Sequence, residues 1–223
     1  LNLGCPSGTV TAKGKGAGFL AEPQKLDQFL DQIFSKLDMK ISIKTRIGTH
    51  YEEDWEYLLA IYEKYPIHEL IIHPRIQTDM YRGVPRLGAY EKAVNRLKMP
   101  LCYNGNLFSA ADYKRITERF PDTCCFMYGR GLITNPGLVT EIREGIRPDK
   151  KTVREFHDCL FEEYRELLSG ERNVLFRMKE LWSYMAVNFT NYEKYAKKIK
   201  KSQHLSEYSS VVSSLFAEQD LID

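Results

Sequence analysis

The 223-residue chain is 43% hydrophobic and 28% charged, with a formal net charge of +2. That is the make-up of an ordinary soluble globular protein with core enough for one large domain or two smaller ones. No apolar run approaches membrane-spanning length, the net charge is too small to identify a nucleic-acid partner, and five cysteines without regular spacing make no disulfide framework.

No leader pattern stands at the start, and the adjacent Cys124 and Cys125 fall in an apolar run. Both are therefore expected to be reduced core thiols in a reducing, cytoplasmic compartment. His50, His68, His73, His157 and His204 form no close pair with a cysteine, so no metal is expected.

In chain order, Asn2-Leu3-Gly4-Cys5-Pro6 reads as a short strand running into a corner. Proline fixes its own φ and pushes Cys5 towards extended backbone, and Gly4 permits the turn. A mobile loop with Gly14, Gly16 and Gly18 is expected to follow. Leu26, Phe29, Leu30, Ile33, Phe34 and Leu37 recur at helical steps over 22–37. Met39 to Ile43 reads as a strand ending at Lys44-Thr45-Arg46. A helix over 55–65 precedes the strand 69–72, which ends at His73-Pro74-Arg75. A helix over 89–97 leads to the strand 100–103 and Asn104-Gly105-Asn106. Ser109 is the expected N-cap of a helix to Phe120. The strand 123–127 ends at Tyr128-Gly129-Arg130-Gly131.

Strands alternating with helices indicate βα units on a parallel sheet. Each strand ends in a small polar or glycine cluster, and a (β/α)8 barrel gathers all such ends at one face, whereas an open doubly wound sheet spreads them out. The expectation is an α/β TIM barrel over 1–148, of which about five C-terminal units are present, so that the chain is the later part of a longer protein. Alone, such a piece would leave open sheet edges and is expected to fold poorly. Beyond Arg147-Pro148-Asp149 only helical periodicity remains, over 151–169, 171–187, 192–201 and 204–216. An all-α helical bundle is expected over 149–223.

Several of these residues suit chemistry, each with a plainer alternative. Cys5 is either a reactive thiol on a stiff bend or a small buried hydrophobe. Lys44 either neutralises an electron-rich ring or phosphate, or is a solvated rim lysine. His73 is either a donor to a ring carbonyl or phosphate, or a satisfied core histidine. Asn104-Gly105-Asn106 is a site or only a turn. Gly129-Arg130-Gly131 offers backbone N–H groups and a guanidinium to a phosphate. Lys194, Lys197, Lys198 and Lys201 share one helical face, suited to phosphates or simply to solvent.

Five motifs in order resemble the tRNA-dihydrouridine synthases, flavin enzymes that reduce uridine in tRNA. They are Asn2-Leu3-Gly4-Cys5-Pro6 with Val10 and Gly14/Gly16/Gly18; Ile43-Lys44-Thr45-Arg46-Ile47-Gly48; His73-Pro74-Arg75 with Tyr81-Arg82-Gly83; Tyr103-Asn104-Gly105-Asn106; and Met127-Tyr128-Gly129-Arg130-Gly131 with Asn135-Pro136. The resemblance covers roughly 1–145 and continues less sharply at Arg177-Met178-Lys179 and Trp182-Ser183-Tyr184. It implies an FMN-binding barrel followed by a helical tRNA-binding domain, with NADPH as reductant. Cys5 would protonate C5 of the uracil while hydride passes from FMN N5 to C6. Lys44, His73, Asn104, Gly105, Asn106, Gly129 and Arg130 would bind FMN. Asn2, Arg46 and Arg75 would face the substrate, and the four lysines the tRNA phosphates. Asn106 stands where many members have aspartate. The family's Pro-Met corner and glutamine-bearing strand are not in this chain.

The chemistry is consistent with the residues. No side chain donates hydride, so a flavin or nicotinamide must. An ordinary thiol, with a pKa of about 8.5, is mostly protonated at neutral pH and serves as an acid. A monomer without membrane attachment is expected. The rival expectations are an FMN-barrel enzyme acting on a free pyrimidine such as dihydroorotate, and a non-catalytic RNA-binding relative.

Overall fold

A computed structural model describes residues 1–222, which divide into two compact units. The first comprises Leu1–Asn106 and Ile116–Tyr128, and the second Leu107–Arg115 and everything from Gly129.

In the first unit five strands, β1 (Asn2–Leu3), β2 (Ser42–Arg46), β3 (Glu69–His73), β4 (Leu101–Tyr103) and β5 (Cys125–Phe126), pair in sequence order, every pair parallel. Parallel neighbours need crossovers, and helices supply them. These are α1 (Gly8–Thr11) with a 3-10 turn at Gly16–Ala21, α2 (Pro23–Lys36), α3 (Asp54–Tyr62), α4 (Leu87–Arg96) and, between β4 and β5, α5 (Ala110–Arg119), which is divided between the two units after Arg115. Proline at the first position suits the start of α2, whose Leu26 and Leu30 are fully buried. As expected, Ser109 caps α5, its Oγ accepting from the Asp112 N–H at 3.1 Å.

The period of two along each strand sorts the side chains onto two faces. The register row Leu3, Thr45, Ile72, Tyr103 and Phe126 lies on the helix side. There the Thr45 hydroxyl meets the Tyr62 hydroxyl of α3 at 2.9 Å, and the Tyr103 ring meets Tyr90 of α4 edge-on at 5.1 Å. The alternating row, Asn2, Lys44, Ile71, Cys102 and Cys125, occupies the opposite face.

Three expectations need correction. Strand β2 runs over Ser42–Arg46, so Lys44 and Arg46 are strand residues and not the turn beyond it. Both project away from the helices, so their polarity does not interrupt the strand. The segment after Cys5 is not a free loop, because α1 and the 3-10 turn occupy most of it. Cys124 is exposed and Cys125 half-buried, so neither is a core thiol.

The second unit contains α6 (Arg130–Thr134), α7 (Leu138–Glu144), α8 (Lys150–Leu167), α9 (Glu171–Met185), α10 (Tyr192–Lys201) and α11 (Leu205–Glu218). Asp149 caps α8 through its carboxylate, which accepts from the Thr152 N–H at 2.7 Å. Gly170, at φ +82°, makes the break between α8 and α9. Val174, Met178, Trp182, Tyr195, Tyr208 and Leu215 anchor this unit's core. Among the described residues, no helix is long and apolar enough to cross a membrane.

Candidate active site

At the end of β1, the Asn2 carboxamide oxygen accepts from the Gly4 N–H at 3.0 Å, which turns the chain. Cys5 follows, half-buried, between buried Gly4 and Pro6. Its carbonyl accepts from the Ala17 N–H at 2.9 Å, tying the corner to the 3-10 turn. Gly16, at φ +55°, makes that approach possible. A Cβ there would lie 2.7 Å from the Cys5 carbonyl oxygen and 3.0 Å from the Cys5 Cβ. The backbone of the corner is thereby fixed against the 3-10 turn.

Arg46 ends β2 at 1% exposure. Its guanidinium donates to the carbonyls of Gly4 at 3.1 Å, Ile76 at 2.8 Å and Met80 at 2.7 Å, and lies 5.4 Å from the Tyr81 ring centre. Arg75, fully buried, donates to the carbonyls of Arg82 at 3.1 Å and Gly83 at 2.5 Å, and to Asn106 Oδ1 at 3.2 Å. It also contacts His73 Nε2 at 2.9 Å. An arginine only donates, so Nε2 accepts and the ring proton sits on Nδ1. These two guanidiniums link the ends of β1, β2, β3 and β4 into one polar network. Both were expected to face substrate; the bonds described here go to the protein's own carbonyls and, from Arg75, also to His73 and Asn106.

Lys44 is half-buried, in the row with Asn2 and Cys102. Burial first, then the Arg46 guanidinium, hold its ammonium below the usual lysine range. Asn104 donates from Nδ2 to the Met127 carbonyl at 2.7 Å, joining the ends of β4 and β5. At Gly105 a Cβ would crowd Pro85 at 3.1 Å. Asn106 sits at φ 44°, a region that asparagine tolerates better than most residues.

In the second unit, Gly129 is the N-cap of the short α6, and the Arg130 guanidinium lies 5.3 Å from the Phe108 ring centre. Lys194, Lys197, Lys198 and Lys201 are all exposed on α10, opposite buried Tyr195 and Ile199.

Sequence reading passed over the clamp that shapes the loop after β3. Asp79 accepts from the Ile76 N–H at 3.1 Å and pairs with Arg86, which also pairs with Glu52 at 3.0 Å. The signal for it was the spacing of Asp79 three residues after Ile76, the reach of a cap. Also unforeseen is the grouping of Glu69, Cys102 and Cys125, from three different strands.

With this geometry in view, the sequence model of the dihydrouridine synthase (Dus) family matches residues 1–219. The chain is 26% identical over 235 residues to "Probable tRNA-dihydrouridine synthase 1" of Synechocystis sp., covering 100% of this chain and 61% of that protein. It is 27% identical over 152 residues to "tRNA-dihydrouridine synthase B" of Pasteurella multocida, covering 67% and 45%. It is 24% identical over 171 residues to "tRNA-dihydrouridine(16) synthase" of Aquipseudomonas alcaligenes, covering 74% and 54%. The chain thus spans about half the length of these curated relatives.

Proposed function

The chain belongs to the dihydrouridine synthase family, and from that premise we propose that its protein reduces uridine to 5,6-dihydrouridine in tRNA, in the cytoplasm. We take the parallel sheet to be part of a (β/α)8 barrel over 1–148, followed by a helical tRNA-binding domain, with FMN as resident cofactor and NADPH as reductant. The observation that carries this reading is the network at the strand ends: one thiol corner, one cation, Lys44, in register with Asn2, and amide and imidazole groups braced by buried arginines.

The donor set fits a flavin. Lys44 is a partly desolvated cation whose neighbours Arg46 and Cys102 do not neutralise it, so an electron-rich ring or an anion gains from meeting it. His73, Asn104, Gly105 and Asn106 supply imidazole, amide and backbone groups at the adjoining strand ends. FMN, when bound, supplies the hydride that the uracil C6 accepts.

The remaining work falls to this chain. Cys5 delivers its thiol proton to C5, and the corner that holds it sets the direction of delivery. Asn2 positions the uracil, whose base must leave its stack to reach such a site. Arg46 and Arg75 act as positioning residues, because their donors hold the loops at 4–6, 76–83 and 104–106. Lys194, Lys197, Lys198 and Lys201 neutralise tRNA phosphates.

The test is Cys5→Ala in the purified protein. Flavin absorbance and tRNA affinity are expected to persist while dihydrouridine formation falls by about a hundredfold or more. Unchanged turnover would remove Cys5 from the mechanism. Flavin reoxidation by free uridine as fast as by unmodified tRNA would favour a free-pyrimidine enzyme. A colourless protein that binds no FMN would point to a non-catalytic RNA-binding relative.

A further inference from the structure

Glu69 on β3, Cys102 on β4 and Cys125 on β5 bring one carboxylate oxygen and two sulfurs within 4.8 Å of one another. The topology makes this unavoidable. Cys102 and Cys125 are register partners on neighbouring parallel strands, and both belong to the row that faces away from the helices. Glu69 stands two residues before Ile71, the register partner of Cys102, so the strand's period of two puts it on the same face. Two thiols and a carboxylate are a ligand set that zinc accepts. Sulfurs about 2.3 Å from a tetrahedral zinc lie about 3.8 Å apart, so closure from the observed spacing needs a shift of about 1 Å at most. Two thiolates and a carboxylate around a divalent ion leave one negative charge, and Lys44 sits in the same row to offset it. Cys102 is 2% exposed, whereas Cys125 and Glu69 are half-buried.

We propose that Glu69, Cys102 and Cys125 form a zinc site, with three protein ligands and a fourth position open to water or a small donor. The three ligands are not among the residues assigned to uridine reduction, although Lys44 is shared with the proposed flavin contact, and the site stands on strand register and ligand-atom spacing.

The experiment strips the reduced, purified protein with a chelator and titrates it with Zn2+ and with Co2+. The expected result is one metal per chain and ultraviolet sulfur-to-cobalt charge-transfer bands. Cys102→Ser and Cys125→Ser should each abolish those bands, and Glu69→Gln should weaken binding by about tenfold or more. Cys124→Ser and Cys159→Ser, at exposed thiols, should leave both readouts unchanged. Circular dichroism checks each fold. If the nearly buried Cys102→Ser variant does not fold, Cys125→Ser and Glu69→Gln carry the test, since both side chains are half-exposed. Absence of sulfur-to-cobalt bands in the parent protein, or bands that survive Cys125→Ser or vanish with Cys124→Ser, would overturn the assignment.

Discussion

At the residue scale, the Cys5 corner depends on a neighbour with no side chain. Gly14 and Gly16 both have positive φ, +62° and +55°, yet only Gly16 presses on the corner; a Cβ at Gly14 would meet nothing within 4 Å. Gly14→Ala should therefore cost only the left-handed penalty of about 1–2 kcal/mol. Gly16→Ala should cost more, because its Cβ must also displace the Cys5 carbonyl and break the bond from Ala17. Thermal denaturation of the two variants checks this, and equal losses would mean that the corner adjusts freely. Asn106 follows the same logic from the other side. Its carboxamide both tolerates the left-handed backbone and accepts from Arg75, so the amide in place of the family's aspartate keeps a bond to that arginine.

At the element scale, α8, α9 and α11 are joined by a directed chain of hydrogen bonds. The Trp182 indole N–H donates to the Tyr208 hydroxyl at 2.7 Å, which meets His157 Nε2 at 2.5 Å; His157 Nδ1 meets Asp158 at 2.7 Å. A hydroxyl that already accepts from Trp182 donates onward to Nε2, and Nδ1–H then donates to the carboxylate, so neutral histidine satisfies every group. Burial holds His157 below its ordinary 6.5, with Asp158 opposing. The unfolded chain thus takes up a proton at a higher pH than the folded one. Stability is full above 6.5 and falls as pH drops from there towards the lowered folded value. Urea unfolding at about pH 7.5 and about pH 5.5 should show the loss, and His157→Phe should flatten it. Tyr208→Phe leaves both Trp182 and His157 without their partner and should cost about 1–3 kcal/mol. A pH-independent midpoint would mean that His157 does not titrate differently on folding.

At the scale of the whole molecule, a net charge of +2 gives little general attraction for RNA, so binding must come from local density. In the proposed reading that density is Lys194, Lys197, Lys198 and Lys201 on α10, where the ammoniums of Lys194 and Lys198 lie 5.4 and 5.9 Å from the Tyr195 ring centre. Replacing the four with alanine should weaken tRNA binding and reduce the steepness of its salt dependence by about 0.7–0.9 for each phosphate no longer neutralised. Affinity measured across a salt series checks this. An unchanged slope would move the RNA to another surface.

The order of strands and helices, the N-cap at Ser109 and the polar strand ends were all legible in the chain, because periodicity and capping are local properties. The family was legible too, since its motifs lie in short runs. Other features depended on which strands become neighbours. Lys44 and Arg46 look like a turn in the sequence, and only pairing with β1 and β3 shows them to be strand residues on the face away from the helices. Arg46 and Arg75 read in the sequence only as cations at strand ends, and the carbonyls they hold, up to 42 residues away, come to them only in the fold. Glu69, Cys102 and Cys125 carry no common motif at all. Parallel pairing joins residues separated by whole βα units, and no short-range pattern encodes that register.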